Sequence, residues 1–279
     1  IVCVGNLTVG GSGKTPIAMA LAQLLQAKGV PVALLSRGYR GKFSGAVCVD
    51  PKLHDSHFVG DEALLLARVA PTIVASDREA GARFAENQGA RIIVMDDGHQ
   101  NFALAKDLSI VVVEGERAFG NGKILPAGPL REPVRQGLAR ADVVMLTGFG
   151  SPALPGFTGV VCRANLIPDR RLDGTRVVAF TGIARPMKFF ETLAGAGADV
   201  IERHDFGDHH AFTRNEIAMV KEAARRANAT LITTDKDLVR LSDEDREGID
   251  VLRVQAHLFD MPVIERLMDP LLRKVRGEK

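Results

Sequence analysis

An α/β fold, a mostly parallel sheet flanked by helices with a second and smaller α/β domain, is predicted by three features of this 279-residue sequence. Short runs rich in Val, Ile and Leu alternate with helix-like stretches, the rhythm of βαβ units. The first such run, Ile1-Val2-Cys3-Val4, leads directly into Thr8-Val9-Gly10-Gly11-Ser12-Gly13-Lys14-Thr15, a glycine-rich turn at a strand-to-helix junction. A Gly/Pro-rich interval at 148–159 then divides one strand–helix series from another.

Taken in order, strands are expected at 1–6, 30–36, 72–76, 91–96, 108–114 and 142–147, and helices at 16–28, 61–69 and 78–88. Pro16 suits a first helical turn, where its missing N–H costs nothing. After the interval at 148–159, strands are expected at 177–181, 200–206, 230–234 and 251–254, with helices at 186–194 and 213–228. Apolar residues at helical spacing over 262–276 predict a last helix that packs back on the body. The expected domains are therefore a core at 1–158, a smaller α/β domain at 159–261 and a C-terminal helix at 262–279. No internal repeat and no low-complexity tract interrupts this order.

A hydrophobic content of 46% supports full cores in one large or two medium domains. The net charge of +2 is too mild to argue for a nucleic-acid partner, and none is expected, although it does not oppose an anionic membrane surface. Cys3, Cys48 and Cys162 form no CxxC pair and each sits in an apolar, strand-like run, so buried thiols are expected. No apolar run approaches the ~20 residues that span a bilayer, and no signal peptide opens the chain. The chain opens without Met on the first residue of a strand, so a preceding N-terminal segment is expected.

The glycine-rich turn carries the strongest chemical signal. Its glycines let the backbone wrap a polyphosphate, its N–H groups and the positive end of the next helix face the anion, and Lys14 adds a mobile charge. Thr15 can place its hydroxyl on Mg2+. Thr8 stands where the strict pattern has Gly, but the later glycines, lysine and threonine make most of the phosphate contact. Residues 8–15 are the candidate nucleotide cradle, and the sheet is of P-loop NTPase type.

Arg91-Ile92-Ile93-Val94-Met95-Asp96-Asp97-Gly98 is a buried strand ending in paired acids, as a Walker B segment requires. Asp96 or Asp97 is the metal candidate. Glu114 ends a second apolar strand, where it either reaches the same metal or is a solvated turn residue. Asp61, in Val59-Gly60-Asp61-Glu62, is either a helix cap or the carboxylate that accepts a proton from an attacking hydroxyl. The segment from His204 to His210 admits three readings: a metal site, an acid–base histidine that tunes Asp61, or a hydrated loop with a cap. The stretch from Ser36 to Lys42, with Arg37, Tyr39 and Arg40, concentrates positive charge that suits an anionic second substrate or a solvated hairpin equally. Arg131, in the stiff stretch from Pro126 to Pro133, is a candidate phosphate contact. Lys236, after the strand at 230–234, either reaches a nucleotide or binds solvent.

Seven ordered motifs then make the chain resemble the tetraacyldisaccharide 4'-kinases, the lipid A 4'-kinases of Gram-negative bacteria. They are GNLTVGGSGKTP (5–16), SRGYRG (36–41), VGDE (59–62), DDGHQN (96–101), GNGKILPAGPLREP (120–133), DFGDHHAFT (205–213) and TTDKD (233–237). The resemblance covers the whole chain. It implies transfer of the ATP γ-phosphate, with Mg2+, to the 4'-hydroxyl of a tetraacylated disaccharide 1-phosphate at the cytoplasmic face of the inner membrane. It also implies Asp61 as catalytic base, His209 as its support, Lys14 on the phosphates, and Arg37, Tyr39, Glu62, Gln100 and Arg131 toward the lipid. Two departures stand out. The family has DDGFQH where this chain has His99 and Asn101, so a role for that last histidine does not transfer. The family's membrane-meeting N-terminal segment is also missing, so peripheral membrane association is expected by analogy. A rival reading, a membrane-associated switch ATPase, needs a lysine where Val9 stands, and no NKxD motif supports a GTPase.

Overall fold

The structure, a computed structural model, describes residues 1–278. In chain order it contains β1 (Val2–Gly5), α1 (Lys14–Ala27), β2 (Val32–Ser36), β3 (Ala46–Cys48), α2 (Ser56–Val59), α3 (Asp61–Leu66), β4 (Thr72–Ala75), α4 (Arg78–Asn87), β5 (Ile92–Asp96), β6 (Leu108–Glu114), α5 (Val134–Leu138) and β7 (Val143–Thr147). There follow β8 (Val160–Pro168), β9 (Arg176–Thr181), α6 (Pro186–Gly195), β10 (Asp199–Asp205), α7 (Arg214–Arg226), β11 (Thr230–Thr234), α8 (Asp235–Leu238), α9 (Asp243–Arg246), β12 (Asp250–Leu252), β13 (Val254–Leu258) and α10 (Met261–Arg276). The chain divides into two compact units. The large one holds Ile1–His54, Phe58–Leu166 and the chain from Ala256 onward; the small one holds Asp55–His57 and Ile167–Gln255.

In the large unit, nine strands run in the order β13-β8-β7-β6-β1-β5-β2-β4-β3. The pairs among β8, β7, β6, β1, β5, β2 and β4 are all parallel, and β3 pairs antiparallel with β4. Parallel strands covered on both faces must be apolar on both, and β1, β2, β4, β5, β6 and β7 are buried along their length. Alternation assigns the faces. Val2 and Val4 of β1 join a core with Leu21 and Leu25 of α1 and Met268 and Leu272 of α10. Cys3, between them, joins the opposite core with Ala82 and Ala85 of α4.

The small unit has a four-stranded parallel sheet in the order β10-β9-β11-β12. Val177 and Ala179 face Phe189, Phe190 and Leu193 of α6, while Val178 and Phe180 face Ile217, Val220 and Ala224 of α7.

The elements that the sequence did not disclose are the short or half-exposed ones. β3 is an edge strand of three residues. β8 buries only Cys162 and Ala164 among exposed or half-buried positions and β13 buries only Leu258, so neither forms a continuous apolar run. Both strands belong to the nine-stranded sheet, which therefore draws on chain beyond residue 158. The expected helix at 61–69 ends as α3 at Leu66. One thiol also differs from expectation: Cys3 and Cys162 are buried, but Cys48 on the edge strand β3 is exposed.

Candidate functional site

The site follows from the strand order. From β1 the chain passes outward to β2, whereas from β5 it crosses back to β6 on the other side of β1. Ligands in open α/β sheets bind at such a switch point, beyond the carboxyl ends of the strands. Here those ends carry the glycine-rich turn (β1), Asp96 (β5) and Glu114 (β6). Gly5 is obligatory at the first exit: a Cβ there would lie 2.5 Å from that of His99, on the loop after β5. Gly13, at φ 86°, turns the chain into α1. The opening N–H groups of a helix have no intrahelical acceptor, so at Lys14 and Thr15 they add to the positive pole of α1. Gly10 and Gly11 line open space and are exposed. The turn is braced by Asn6 Nδ2, which donates to Ser12 Oγ at 2.9 Å. The 129–131 segment braces it again: Val9 N–H donates to the Pro129 carbonyl at 2.8 Å and Arg131 N–H to that of Leu7 at 2.8 Å.

Beneath this cradle, Thr15 Oγ1 donates to Asp96 Oδ2 at 2.9 Å. Asp96 is 1% exposed, and its Oδ1 is buried without a hydrogen-bond partner. Burial, then the charges of Glu62 and Asp97, push its carboxyl up to about 7, against the pull of Lys14 and the Thr15 hydrogen bond. Asp97 turns away, at φ 53°. Both its oxygens accept from Arg131, at 2.9 and 3.0 Å, and Lys14 Nζ lies 3.6 Å from Oδ1. Burial works to raise the Asp97 carboxyl, but Lys14 and Arg131 together hold it below the usual carboxylate range. The adjacent acids thus have divergent environments. Gln100 ties the arrangement together, accepting from Arg131 and donating to the Asn6 carbonyl and to Glu132.

Asp61 and Glu62 open α3. The capping position belongs to Gly60, and Asp61 Oδ1 accepts from the Glu62 N–H at 2.9 Å. Gly60 sits at φ 87°, and a Cβ there would meet the Tyr39 carbonyl oxygen at 2.7 Å. Asp61 is 5% exposed and is therefore carried on a backbone turn pressed against the 36–41 stretch. Tyr39 and Arg37 are exposed, and Glu114 is buried at the end of β6.

In the small unit the two histidines after Asp208 separate. His210 Nε2 meets Glu216 Oε2 at 3.0 Å, and that oxygen also accepts from the N–H and hydroxyl of Thr213, the cap of α7. These hydrogen bonds, led by the Thr213 backbone, hold the Glu216 carboxyl down at about 2. His209, at φ 57°, meets Arg240 instead. No three His, Cys, Asp or Glu side chains converge as a metal cage among the described residues. The metal reading of the 204–210 segment therefore has no geometry behind it.

Sequence reasoning passed over Arg78, Asn6, Glu132 and Arg140. Arg78 is 4% exposed at the start of α4; burial lowers its guanidinium to about 10 against the pull of Asp96 and Asp97. A signal was available, since a cation in the first turn of a helix opposes the helix dipole and needs another reason to be there. Arg140 pairs with both oxygens of Glu132 at 2.7 Å, across the short helix α5 that no local pattern announces.

Residues 1–273 match the family model for the tetraacyldisaccharide-1-P 4'-kinases. The chain belongs to this family. The tetraacyldisaccharide 4'-kinase of Rhodospirillum centenum is 47% identical over 98% of this chain and 83% of its own length. That of Rhodospirillum rubrum is 48% identical over 98% and 85%. Among solved structures, LpxK from Aquifex aeolicus, crystallised in complex with ATP, superposes with a TM-score of 0.75 at 28% identity, over 97% of this chain and 87% of that one. His99 is where the chain departs from the DDGFQH pattern expected by resemblance. In this chain His99 is fully buried, with Nε2 2.9 Å from the Gly137 carbonyl and Nδ1 3.2 Å from Ser109 Oγ. Both ring nitrogens have a polar partner, which lets an imidazole occupy an apolar residue's place.

Proposed function

We propose that this chain is the phosphotransferase that moves the γ-phosphate of ATP to the 4'-hydroxyl of a tetraacyldisaccharide 1-phosphate. The observation that carries the reading is the Thr15–Asp96 pair under the glycine cradle, with one carboxylate oxygen buried and unsatisfied. A hydroxyl and a carboxylate, with further positions left for phosphate oxygens, form the hard donor set that suits Mg2+. Thr15 and Asp96 would hold the ion, with Glu114, at the end of β6 on the far side of β1, as a further candidate. Asp97, engaged by Arg131 and Lys14, orients those cations. When bound, Mg2+ neutralises charge on the phosphate oxygens.

The amides of residues 8–15 and Lys14 bind the phosphates and stabilise negative charge as the bond from the β–γ bridging oxygen to the γ-phosphorus breaks. Asp61 orients the sugar hydroxyl and takes its proton as the new oxygen–phosphorus bond forms, supported by His209. Arg37, Tyr39, Glu62, Gln100 and Arg131 are assigned to the acceptor side. A lipid acceptor puts the reaction at a membrane surface, and the family resemblance favours peripheral attachment at the cytoplasmic face of the inner membrane. Among the described residues no helix is long and apolar enough to cross a bilayer.

The test is transfer from γ-labelled ATP in mixed micelles with purified disaccharide 1-phosphate. Label is expected on the lipid, and Lys14→Ala and Asp61→Asn should each lower kcat by about 100-fold or more. Label released as inorganic phosphate at one rate with or without lipid would instead indicate the switch ATPase. Near-normal transfer by Asp61→Asn would remove the base assignment and leave the kinase standing.

A further inference from the structure

The small sheet has a switch point of its own. β9 connects to β10 on one side, and the chain then crosses to β11 on the other, so the carboxyl ends of β9 and β11 diverge at Thr181 and Thr234. Asp237 fills that position with its side chain 0% exposed. Its Oδ2 accepts from the hydroxyls of Thr181 and Thr234, each at 2.6 Å. Its Oδ1 accepts from the Gly182 N–H at 3.0 Å and from Arg240 Nη1 at 2.9 Å. With four donors, this buried carboxylate is satisfied and fixed.

Arg240, 7% exposed in its side chain, is fixed in turn. Nη1 donates also to the Gly182 carbonyl at 2.8 Å, the same oxygen that accepts the His209 N–H at 2.9 Å. The other arm of the fork, Nη2, lies 3.3 Å from His209 Nδ1. A guanidinium only donates, so Nδ1 must accept, and the hydrogen of the neutral ring then sits on Nε2. Asp208 Oδ1 lies 4.0 Å from Nε2, beyond hydrogen-bond distance. His209 is thus held at its backbone by the Gly182 carbonyl and at one ring nitrogen by Arg240, and the same carbonyl ties the two residues together.

We propose that Arg240, anchored by Asp237 at this switch point, is a positioning residue that fixes His209 as the Nε2–H tautomer, able to donate from Nε2 to a carboxylate or phosphate oxygen. This rests on the assignment of His209 to catalysis made above. It gives TTDKD a task that its sequence does not suggest: Thr234 and Asp237 anchor an arginine three residues further on. In serine hydrolases a buried carboxylate that fixes the histidine tautomer and stabilises the imidazolium carries much of the rate; Arg240 can supply the first of these two effects.

Arg240→Lys keeps a charge opposite Asp237 but loses the planar fork, and Arg240→Met removes every donor. The full chain, labelled with 15N and 13C in its seven histidines, is read by NMR, with the His209 signals assigned from a His209→Gln sample. The wild type is expected to show the Nε2–H pattern, and both Arg240 variants a shift toward a mixture with Nδ1–H. Kinetically, kcat should fall about tenfold or more with KM for ATP changed less than twofold, and no further loss should follow when Arg240→Lys is added to His209→Ala. Retention of the Nε2–H pattern in Arg240→Lys, or an equal loss with and without His209, overturns the inference. Full activity in His209→Ala would remove the catalytic assignment, while the tautomer measurement would still decide the role of Arg240. If Arg240→Met does not fold, Arg240→Lys decides it alone.

Discussion

Asp96 and Asp97 are neighbours with opposite protonation tendencies, and that contrast has a measurable consequence. Without a cation, folded Asp96 keeps its proton up to about 7, whereas the unfolded chain releases it near 3.8. The native state therefore binds more protons between those limits, and stability must fall as pH rises from about 4 to about 7. Asp97 has the reverse sign: its contribution is present above its unfolded value and is lost only in more acidic solution. Between pH 5 and 7.5 Asp97 adds no slope, whereas His99, which burial holds below its ordinary 6.5, adds one of the opposite sign, so the Asp96 part is read as the difference between wild type and Asp96→Asn. Urea unfolding of the metal-free wild type should lose on the order of 1–3 kcal/mol across that interval, and Asp96→Asn should flatten that component. Added Mg2+ and ATP should restore wild-type stability with growing effect as pH rises, because the cation needs the ionised carboxylate. An unchanged pH slope in Asp96→Asn would mean that another group carries it.

At the scale of elements, the turns are under more constraint than the helices they introduce. Gly60 illustrates it. Its positive φ disfavours an L side chain, and a Cβ would press on the Tyr39 carbonyl oxygen at 2.7 Å. Gly60→Ala should cost about 1–3 kcal/mol in urea unfolding and lower kcat through displacement of Asp61. A variant of unchanged stability and rate would show that this contact yields freely. The long buried strands and the cradle were legible in the sequence because their signals are local: continuous apolar runs and glycines at fixed offsets. Thr15 and Asp96, both read from sequence as metal candidates, are joined by a hydrogen bond, while the ion pair of Lys14 with Asp97 was not foreseen. What could not be read depends on contacts distant in sequence. The bidentate capture of Asp97 by Arg131 spans 34 residues and the Arg240–His209 contact spans 31. The edge strands β3 and β13, and β8 beside the second of them, lack a buried run because solvent covers part of each.

For the large unit as a whole, the sheet is completed by chain that leaves at Leu166 and returns at Ala256. The returning segment ends in α10, whose Ile264, Met268, Leu271 and Leu272 enter the same core as Leu21 and Leu25 of α1. This helix contains Pro270, which removes one backbone hydrogen bond and crowds the preceding turn at a cost of about 3 kcal/mol in an ordinary helix. That α10 nevertheless runs from Met261 to Arg276 means that core packing outweighs local propensity here. The two terms can be separated. Met268, fully buried, should lose about 2–5 kcal/mol on Met268→Ala, whereas Pro270→Ala should gain stability by up to about 3 kcal/mol. Both are read from urea midpoints at constant slope. A Met268→Ala loss below about 1 kcal/mol, together with no gain from Pro270→Ala, would mean that α10 is held by something other than its apolar face.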